Sequence, residues 1–184
     1  MLLYLHGFRS VGLCYKGAII RTFNVCSLTP NLPYVPSLAI EFIELLIKKY
    51  QKKHDICLIG SSLGGYYATF LAEKYRLRTV LVNPVVNAYQ TLLPAIGRVY
   101  IPYSNQTFLW TMDLALSLKQ YFSDQITPSL YCVMLQKGDR VLRYQEAQEK
   151  FSGSKMVIQE GGSHRFEDFH LQKDLILQWM NQVS

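Results

Sequence analysis

The serine at position 62 stands in a pattern that supports nucleophilic chemistry. Residues 60–64 are Gly-Ser-Ser-Leu-Gly and match the pattern G-x-S-x-G. In this pattern the central serine occupies a sharp turn between a strand and a helix, with its hydroxyl exposed at the end of a sheet. An apolar run at 56–59 precedes the pattern, and a helical pattern at 63–75 follows it. We therefore predict that Ser62 is a nucleophile.

Two later side chains have the chemistry that an activated serine requires. Asp139 follows an apolar run at 130–135, and His164 follows a strand-like run at 155–159. An imidazole can accept the serine proton and return it to a leaving group. A carboxylate on its other nitrogen fixes the ring and stabilises the imidazolium. The chain order Ser, Asp, His is that of α/β-hydrolases, so Ser62, Asp139 and His164 are the predicted catalytic triad.

Two of the three triad positions also have a simpler interpretation. An aspartate after a glycine is usually a turn residue, and a histidine in a Gly-Gly-Ser-His loop is usually solvated. The remaining candidates are less well placed, because Asp113 and Asp124 do not follow a predicted strand. Among the other histidines, His6 ends the first strand, His54 precedes the strand before the serine, and His170 begins the last helix.

Acyl transfer also requires hydrogen-bond donors for a developing oxyanion. The backbone N–H of Leu63 follows the nucleophile and starts a helix, where the dipole favours negative charge. The loop after the first strand, His6-Gly7-Phe8, should supply the second donor, and we predict the N–H of Phe8. Gly7 would let this loop approach the substrate closely. The alternative is an ordinary turn that ends the strand.

The surrounding pattern predicts how these residues are positioned. Short apolar strands alternate with helical segments, which indicates an α/β fold with a mostly parallel, doubly wound sheet covered on both faces. In such sheets the functional groups collect beyond the carboxyl ends of the strands. The predicted strands are 1–5, 23–27, 56–59, 79–82, 130–135 and 155–159, about six in number. The predicted helices are 13–21, one from residue 36, 63–75, 144–151 and 171–182.

An aromatic-rich segment at 85–127 interrupts the alternation after the fourth strand. It has no simple period, although a short helix at 109–121 is predicted. We predict an irregular insert that covers the serine and lines an acyl pocket. The predicted substrate-binding residues are Gly7, Tyr66, Tyr89 and Trp110, together with Phe8. The alternative is that these aromatic side chains belong to the core.

Composition indicates one globular domain at 1–184. The chain has 184 residues and 49% hydrophobic residues, and no apolar run is long enough for a membrane span. The net charge of +6 comes in part from lysines late in one helix, where they complement the dipole, so we expect no nucleic-acid partner. The start of the sequence lacks the pattern of a signal peptide, and we expect a cytoplasmic protein. Four cysteines without a C-x-x-C pair predict reduced thiols; they are Cys14, Cys26, Cys57 and Cys132.

The sequence resembles the YqiA-type esterases, uncharacterised family 0227 of the α/β-hydrolase superfamily. The resemblance implies hydrolysis of carboxylic esters or acyl thioesters by Ser62, Asp139 and His164, without metal or cofactor. Two neighbours of the triad depart from the family pattern: Arg140 stands where an acidic residue is common, and Ser163 where asparagine is common. The segments that carry the resemblance are LLYLHGF at 2–8, IGSSLGGYYAT at 59–69, VNP at 82–84, GDRVL at 138–142 and EGGSHRF at 160–166.

The favoured hypothesis is a serine esterase or thioesterase for small-to-medium acyl chains, working through an acyl-enzyme. Its partner would be a small-molecule acyl ester or acyl thioester. One alternative is a non-catalytic binding or regulatory protein that keeps the serine turn as structure. Another is a lipase, lactonase or C–C hydrolase with the same triad. The sequence does not determine the natural substrate or the oligomeric state.

Overall fold

A six-stranded parallel sheet forms the centre of the computed structural model, which describes residues 1–181. The strands of the sheet are β1 (Leu2–Leu5), β2 (Ser27–Leu28), β3 (Cys57–Ser61), β4 (Arg78–Val82), β7 (Tyr131–Gln136) and β8 (Lys155–Gln159). The sheet order is β2-β1-β3-β4-β7-β8, and every neighbouring pair is parallel. The α/β class and the doubly wound parallel sheet are therefore confirmed.

The central strands are apolar throughout because both faces of the sheet are covered. Along β1, Leu3 and Leu5 belong to one hydrophobic cluster, and Leu2 and Tyr4 belong to the other. Helices α2, α3 and α6 contribute to the first cluster, and α1 and α7 contribute to the second. The helices are α1 (Tyr15–Ile20), α2 (Pro36–Tyr50), α3 (Leu63–Tyr75), α4 (Ala88–Leu92), α5 (Met112–Ser117), α6 (Tyr144–Lys150) and α7 (Lys173–Asn181).

The ends of α2 follow local chemistry. Pro36 occupies the first turn, where its missing N–H costs nothing, and Lys48 and Lys49 lie in the last turn, where positive charge complements the dipole. None of the helices within residues 1–181 combines the length and apolarity required to cross a bilayer. The predicted last helix reached residue 182, which lies outside the described residues.

The predicted strand at 23–27 is wrong in position. The N–H of Phe23 bonds to the carbonyl of Ile20, and Asn24 has a φ of 57°, so the chain continues as a turn after α1. Within residues 21–30, only Ser27–Leu28 pairs with β1.

The insert at 85–127 contains an antiparallel hairpin that the sequence did not predict. Its strands are β5 (Gly97–Ile101) and β6 (Gln106–Trp110). The predicted helix at 109–121 is therefore wrong at its start, since Trp110 pairs with Gly97 in the hairpin. Thr111 then caps α5 by accepting a hydrogen bond from the N–H of Leu114.

Candidate active site

Ser62 occupies a sharp turn between β3 and α3. Its backbone has φ 55° and ψ −121°, a conformation that L-residues rarely adopt. The two flanking glycines explain how the turn closes. A Cβ on Gly60 would lie 2.5 Å from the carbonyl oxygen of Gly64, and a Cβ on Gly64 would lie 2.0 Å from that of Leu5. The spacing of small residues in the sequence thus reflects direct backbone contact.

A continuous chain of hydrogen bonds joins Ser62, His164 and Asp139. The Nε2 atom of His164 lies 3.1 Å from the Oγ atom of Ser62, and its Nδ1 lies 2.7 Å from Oδ2 of Asp139. A carboxylate can only accept, so Nδ1–H donates to Asp139 and Nε2 is left to accept from the serine hydroxyl. The side chain of Asp139 is 2% exposed and that of His164 is 28% exposed. The structure therefore brings together the three residues that the sequence singled out.

Asp139 is held as a carboxylate. Burial raises the pKa of Asp139. Hydrogen bonds from His164 and from the N–H groups of Leu142 and Val141, together with the charge of His164, lower that pKa by more than burial raises it. The pKa of Asp139 therefore lies below its ordinary value. Its Oδ1 atom accepts the N–H groups of Val141 at 2.8 Å and Leu142 at 2.9 Å. These bonds leave Oδ2 directed to the imidazole.

Two buried amides hold the loop that carries His164. Asn83 donates to the carbonyls of Ser163 at 3.0 Å and His164 at 3.3 Å. Gln136 accepts the N–H groups of Ser163 and Glu167 through one oxygen. Sequence reasoning missed both amides, although each is a polar residue at the carboxyl end of an apolar strand, and that position was the available signal.

The loop after β1 lies directly against the serine. A Cβ on Gly7 would be 3.0 Å from the Cβ of Ser62 and 3.5 Å from its Oγ, so only glycine fits there without displacement. Phe8 and Leu63, the predicted oxyanion donors, line one narrow slot beside Gly7. His6 fixes this loop, because its Nε2 accepts the N–H of Leu32 and its Nδ1 lies 2.9 Å from the carbonyl oxygen of Gly7.

Three of the predicted substrate-binding residues do not line this slot. Trp110 has no exposed surface and donates to the carbonyl of Leu92, while its ring packs edge-to-face behind Phe8. Tyr66 is 5% exposed and donates to the carbonyl of Leu118. The ring of Tyr89 contacts the ammonium of Lys119. The alternative interpretation, that these aromatic side chains belong to the core, describes Trp110 and Tyr66. The slot lining that the sequence did not predict includes Leu32, Pro33, Tyr34, Tyr67 and Phe108.

The site offers acid–base and nucleophilic groups rather than a ligand set for a metal. In the part of the chain that the structure describes, no three His, Cys, Asp or Glu side chains are grouped so that they could hold a metal ion.

The sheet order and the serine turn define the fold as that of an α/β-hydrolase. The uncharacterised protein family UPF0227 matches residues 1–180, and the chain belongs to that family.

Solved structures share the fold at low sequence identity. The α/β-hydrolase domain-containing protein 10 from mouse matches with TM-score 0.74 and 12% identity, over 100% of this chain and 90% of its own. Est1E from Butyrivibrio proteoclasticus with bound ferulic acid matches with TM-score 0.72 and 12% identity, over 97% of this chain and 87% of its own. The Paleococcus ferrophilus monoacylglycerol lipase matches with TM-score 0.71 and 12% identity, over 97% of this chain and 93% of its own.

Proposed function

We propose that this protein is a serine esterase that hydrolyses carboxylic esters or acyl thioesters. The hydrogen-bonded chain from Ser62 through His164 to Asp139 carries the proposal, because it supplies a nucleophile, a base and an orienting carboxylate in one line. Two structural neighbours are described as Est1E with bound ferulic acid and as a monoacylglycerol lipase, and the second is consistent with acyl-ester chemistry on this fold.

The first half of the reaction forms an acyl-enzyme. Nε2 of His164 accepts the hydroxyl proton as Oγ of Ser62 bonds to the carbonyl carbon, and the carbonyl electron pair moves onto oxygen. The N–H groups of Phe8 and Leu63 then donate to this oxyanion. When the oxyanion collapses, the bond to the alcohol or thiol breaks, and His164 gives its proton to that leaving group.

The second half repeats these steps with water as the nucleophile. His164 accepts a proton from water as its oxygen attacks the acyl carbon, and the proton then passes to Oγ of Ser62 as the acid departs. Asp139 stabilises the imidazolium in both halves without taking its proton. Because the pKa of Asp139 is held low, the carboxylate is present at neutral pH.

Labelling with a fluorophosphonate probe tests this function. We expect the wild-type protein to be labelled at Ser62 and to hydrolyse p-nitrophenyl acetate or butyrate. Ser62→Ala should lose the label and at least about 10³-fold in kcat, because a missing nucleophile disables the triad as a unit. Ser61→Ala is the matched control and should keep both. A folded wild-type protein that is not labelled at Ser62, or an active Ser62→Ala variant, would contradict the proposal.

The non-catalytic alternative predicts Ser62 out of reach of His164, and the 3.1 Å separation argues against it. Lipase, lactonase and C–C hydrolase activities share the triad and differ in substrate. A panel of acyl esters, acyl-CoA thioesters and lactones, run beside Ser62→Ala, separates them.

A further inference from the structure

A narrow slot lies against Gly7, which packs against Ser62, and against Leu63, which directly follows Ser62. Gly7, Phe8 and Leu63 line the slot, and its volume is about 20 Å³. Since about 10–15 Å³ is enough for one water molecule, the slot accepts a group close to the size of a methyl. A neighbouring cavity of about 350 Å³ shares part of the wall, through His6, Ser10, Leu32, Pro33 and Tyr34. A small space beside Gly7 and Leu63 thus adjoins a larger one.

Phe108 closes this slot from the hairpin β5–β6. Its ring stacks on Tyr34 with centroids 4.3 Å apart and an interplanar angle of 4°, and it meets Phe8 edge-to-face at 5.6 Å. Two hydrogen bonds tie the hairpin to the same wall. Arg9 donates to the carbonyl of Tyr100 at 3.1 Å, and the Tyr34 hydroxyl donates to Gln106 at 3.3 Å. These contacts fix the position of the Phe108 ring.

The slot lies on the acyl side of the reaction. His164 protonates the leaving group, so the alcohol or thiol must lie beside its Nε2 atom. Among the described residues, the slot is lined from the loop after β1, segment 32–34, helix α3 and the hairpin, and the loop carrying His164 takes no part. A group that points into the slot, next to the oxyanion donors, is therefore the acyl chain.

We infer that Phe108 sets the acyl-chain length, and that the substrates are esters or thioesters of acetic and propionic acid. This inference rests on the proposed function. A short acyl chain fits the slot as it stands, whereas a longer chain needs the Phe108 ring to leave its stack on Tyr34. Removing that ring widens the slot on the side of the hairpin.

A series of p-nitrophenyl esters from acetate to octanoate tests the inference, because the leaving group is constant. We expect kcat/KM of the wild type to be highest for acetate or propionate. Phe108→Ala should raise the ratio of kcat/KM for hexanoate to that for acetate by at least about tenfold, within the range that methylene groups contribute in apolar pockets. Leu109→Ala, which alters the exposed neighbour on the same strand, should leave the ratio unchanged.

The outcomes separate this inference from the proposed function. An unchanged ratio in Phe108→Ala, with hydrolysis still dependent on Ser62, would overturn the inference alone. The same shift in Leu109→Ala would also overturn it. If Phe108→Ala does not fold in a thermal melt, Phe108→Leu keeps an apolar contact with Tyr34 and is judged by the same ratio. Hydrolysis that survives Ser62→Ala would instead defeat the proposed function.

A second, independent observation concerns Lys16, whose side chain is buried beside the loop that carries His164. Lys16 is 6% exposed, and its Nζ atom donates to the carbonyl of Arg165 at 2.7 Å. The guanidinium of Arg165 lies over the ring of Tyr15 at 4.8 Å. Two adjacent residues of α1 therefore hold the residue that directly follows His164.

The Lys16 ammonium also interacts electrostatically with Asp139 of the triad. Burial lowers the pKa of Lys16 to about 8, with the charges of Cys14 and Asp139 raising it and that of Arg165 lowering it. Burying a cation is costly unless it is hydrogen-bonded or paired. Lys16 meets this need with its hydrogen bond to the carbonyl of Arg165 in the loop that carries His164.

We propose that Lys16 is a positioning residue that holds His164 within hydrogen-bond reach of Ser62. Lys16→Met should lower kcat roughly 10- to 100-fold with little change in KM, as expected when a catalytic group is displaced by about an ångström. Lys48→Met changes an exposed lysine of α2 and should have no effect.

A double-mutant cycle distinguishes positioning from general destabilisation. If Lys16 acts through His164, Lys16→Met should cause no further loss in a His164→Ala background. An equal loss in both backgrounds, or no loss in the wild-type background, would overturn the proposal. If Lys16→Met does not fold, Lys16→Gln retains an N–H donor on a shorter side chain, and the same cycle is decisive.

Discussion

His164→Ala is expected to lower kcat for p-nitrophenyl acetate by roughly 10⁴- to 10⁶-fold, the scale at which removal of one triad member disables the whole unit. The variant loses the group that accepts the Ser62 proton at 3.1 Å and the partner of Asp139. KM should change little, because the imidazole contributes to proton transfer rather than to acyl binding. Initial rates at high enzyme concentration measure the residual kcat.

His170→Ala is the control for this loss. His170 is exposed and lies six positions further along the chain, so its replacement should leave kcat within about twofold of the wild type. Both variants should melt close to the wild-type temperature, since the His164 side chain is itself 28% exposed. A His164→Ala variant that keeps more than about a hundredth of the wild-type kcat would mean that another base serves Ser62.

Gly64→Ala is expected to destabilise the protein by about 3 kcal/mol or more, the upper range for inserting a methyl into packed structure. The new Cβ would lie 2.0 Å from the carbonyl oxygen of Leu5 and 2.6 Å from that of His6. Both atoms are backbone, so no side chain can rotate away and α3 must move from the end of β1. For a chain of this size the melting temperature should fall by roughly 6–12 °C.

Gly161→Ala provides the comparison for a conformational effect. Gly161 has a φ of 66°, and a Cβ there would meet nothing within 4 Å. Its replacement should therefore cost only the strain of the backbone, about 1 kcal/mol. Should Gly64→Ala melt as high as Gly161→Ala, close packing between α3 and β1 would not explain why glycine stands at position 64.

The grouping of Ser62, Asp139 and His164 could be predicted because each follows its own apolar strand. Parallel strands deliver their carboxyl ends to one edge of a sheet, so three local patterns were enough to predict a common location. The first strand and its glycine loop followed from the same reasoning. No distant pairing had to be known.

The acyl slot could not be predicted, because its walls meet only in the folded chain. Tyr34 and Phe108 stack although 73 residues lie between them in the sequence. Phe108 lies on a hairpin strand whose sequence shows no clear alternation of polar and apolar residues. Trp110 was expected beside the substrate because aromatic side chains suit pockets, yet the same property suits a core. No sequence pattern predicted that Lys16 is buried, since lysines are mostly exposed.

The backbone of Ser62 has a further consequence for variants of this protein. A residue held at φ 55° and ψ −121° stores about 1–3 kcal/mol of strain, and a glycine can adopt that conformation without it. Selection for thermal stability alone would favour glycine at position 62 and remove the nucleophile. Libraries made to stabilise this fold therefore need an activity filter, because the turn and the hydroxyl that it presents place opposing demands on one residue.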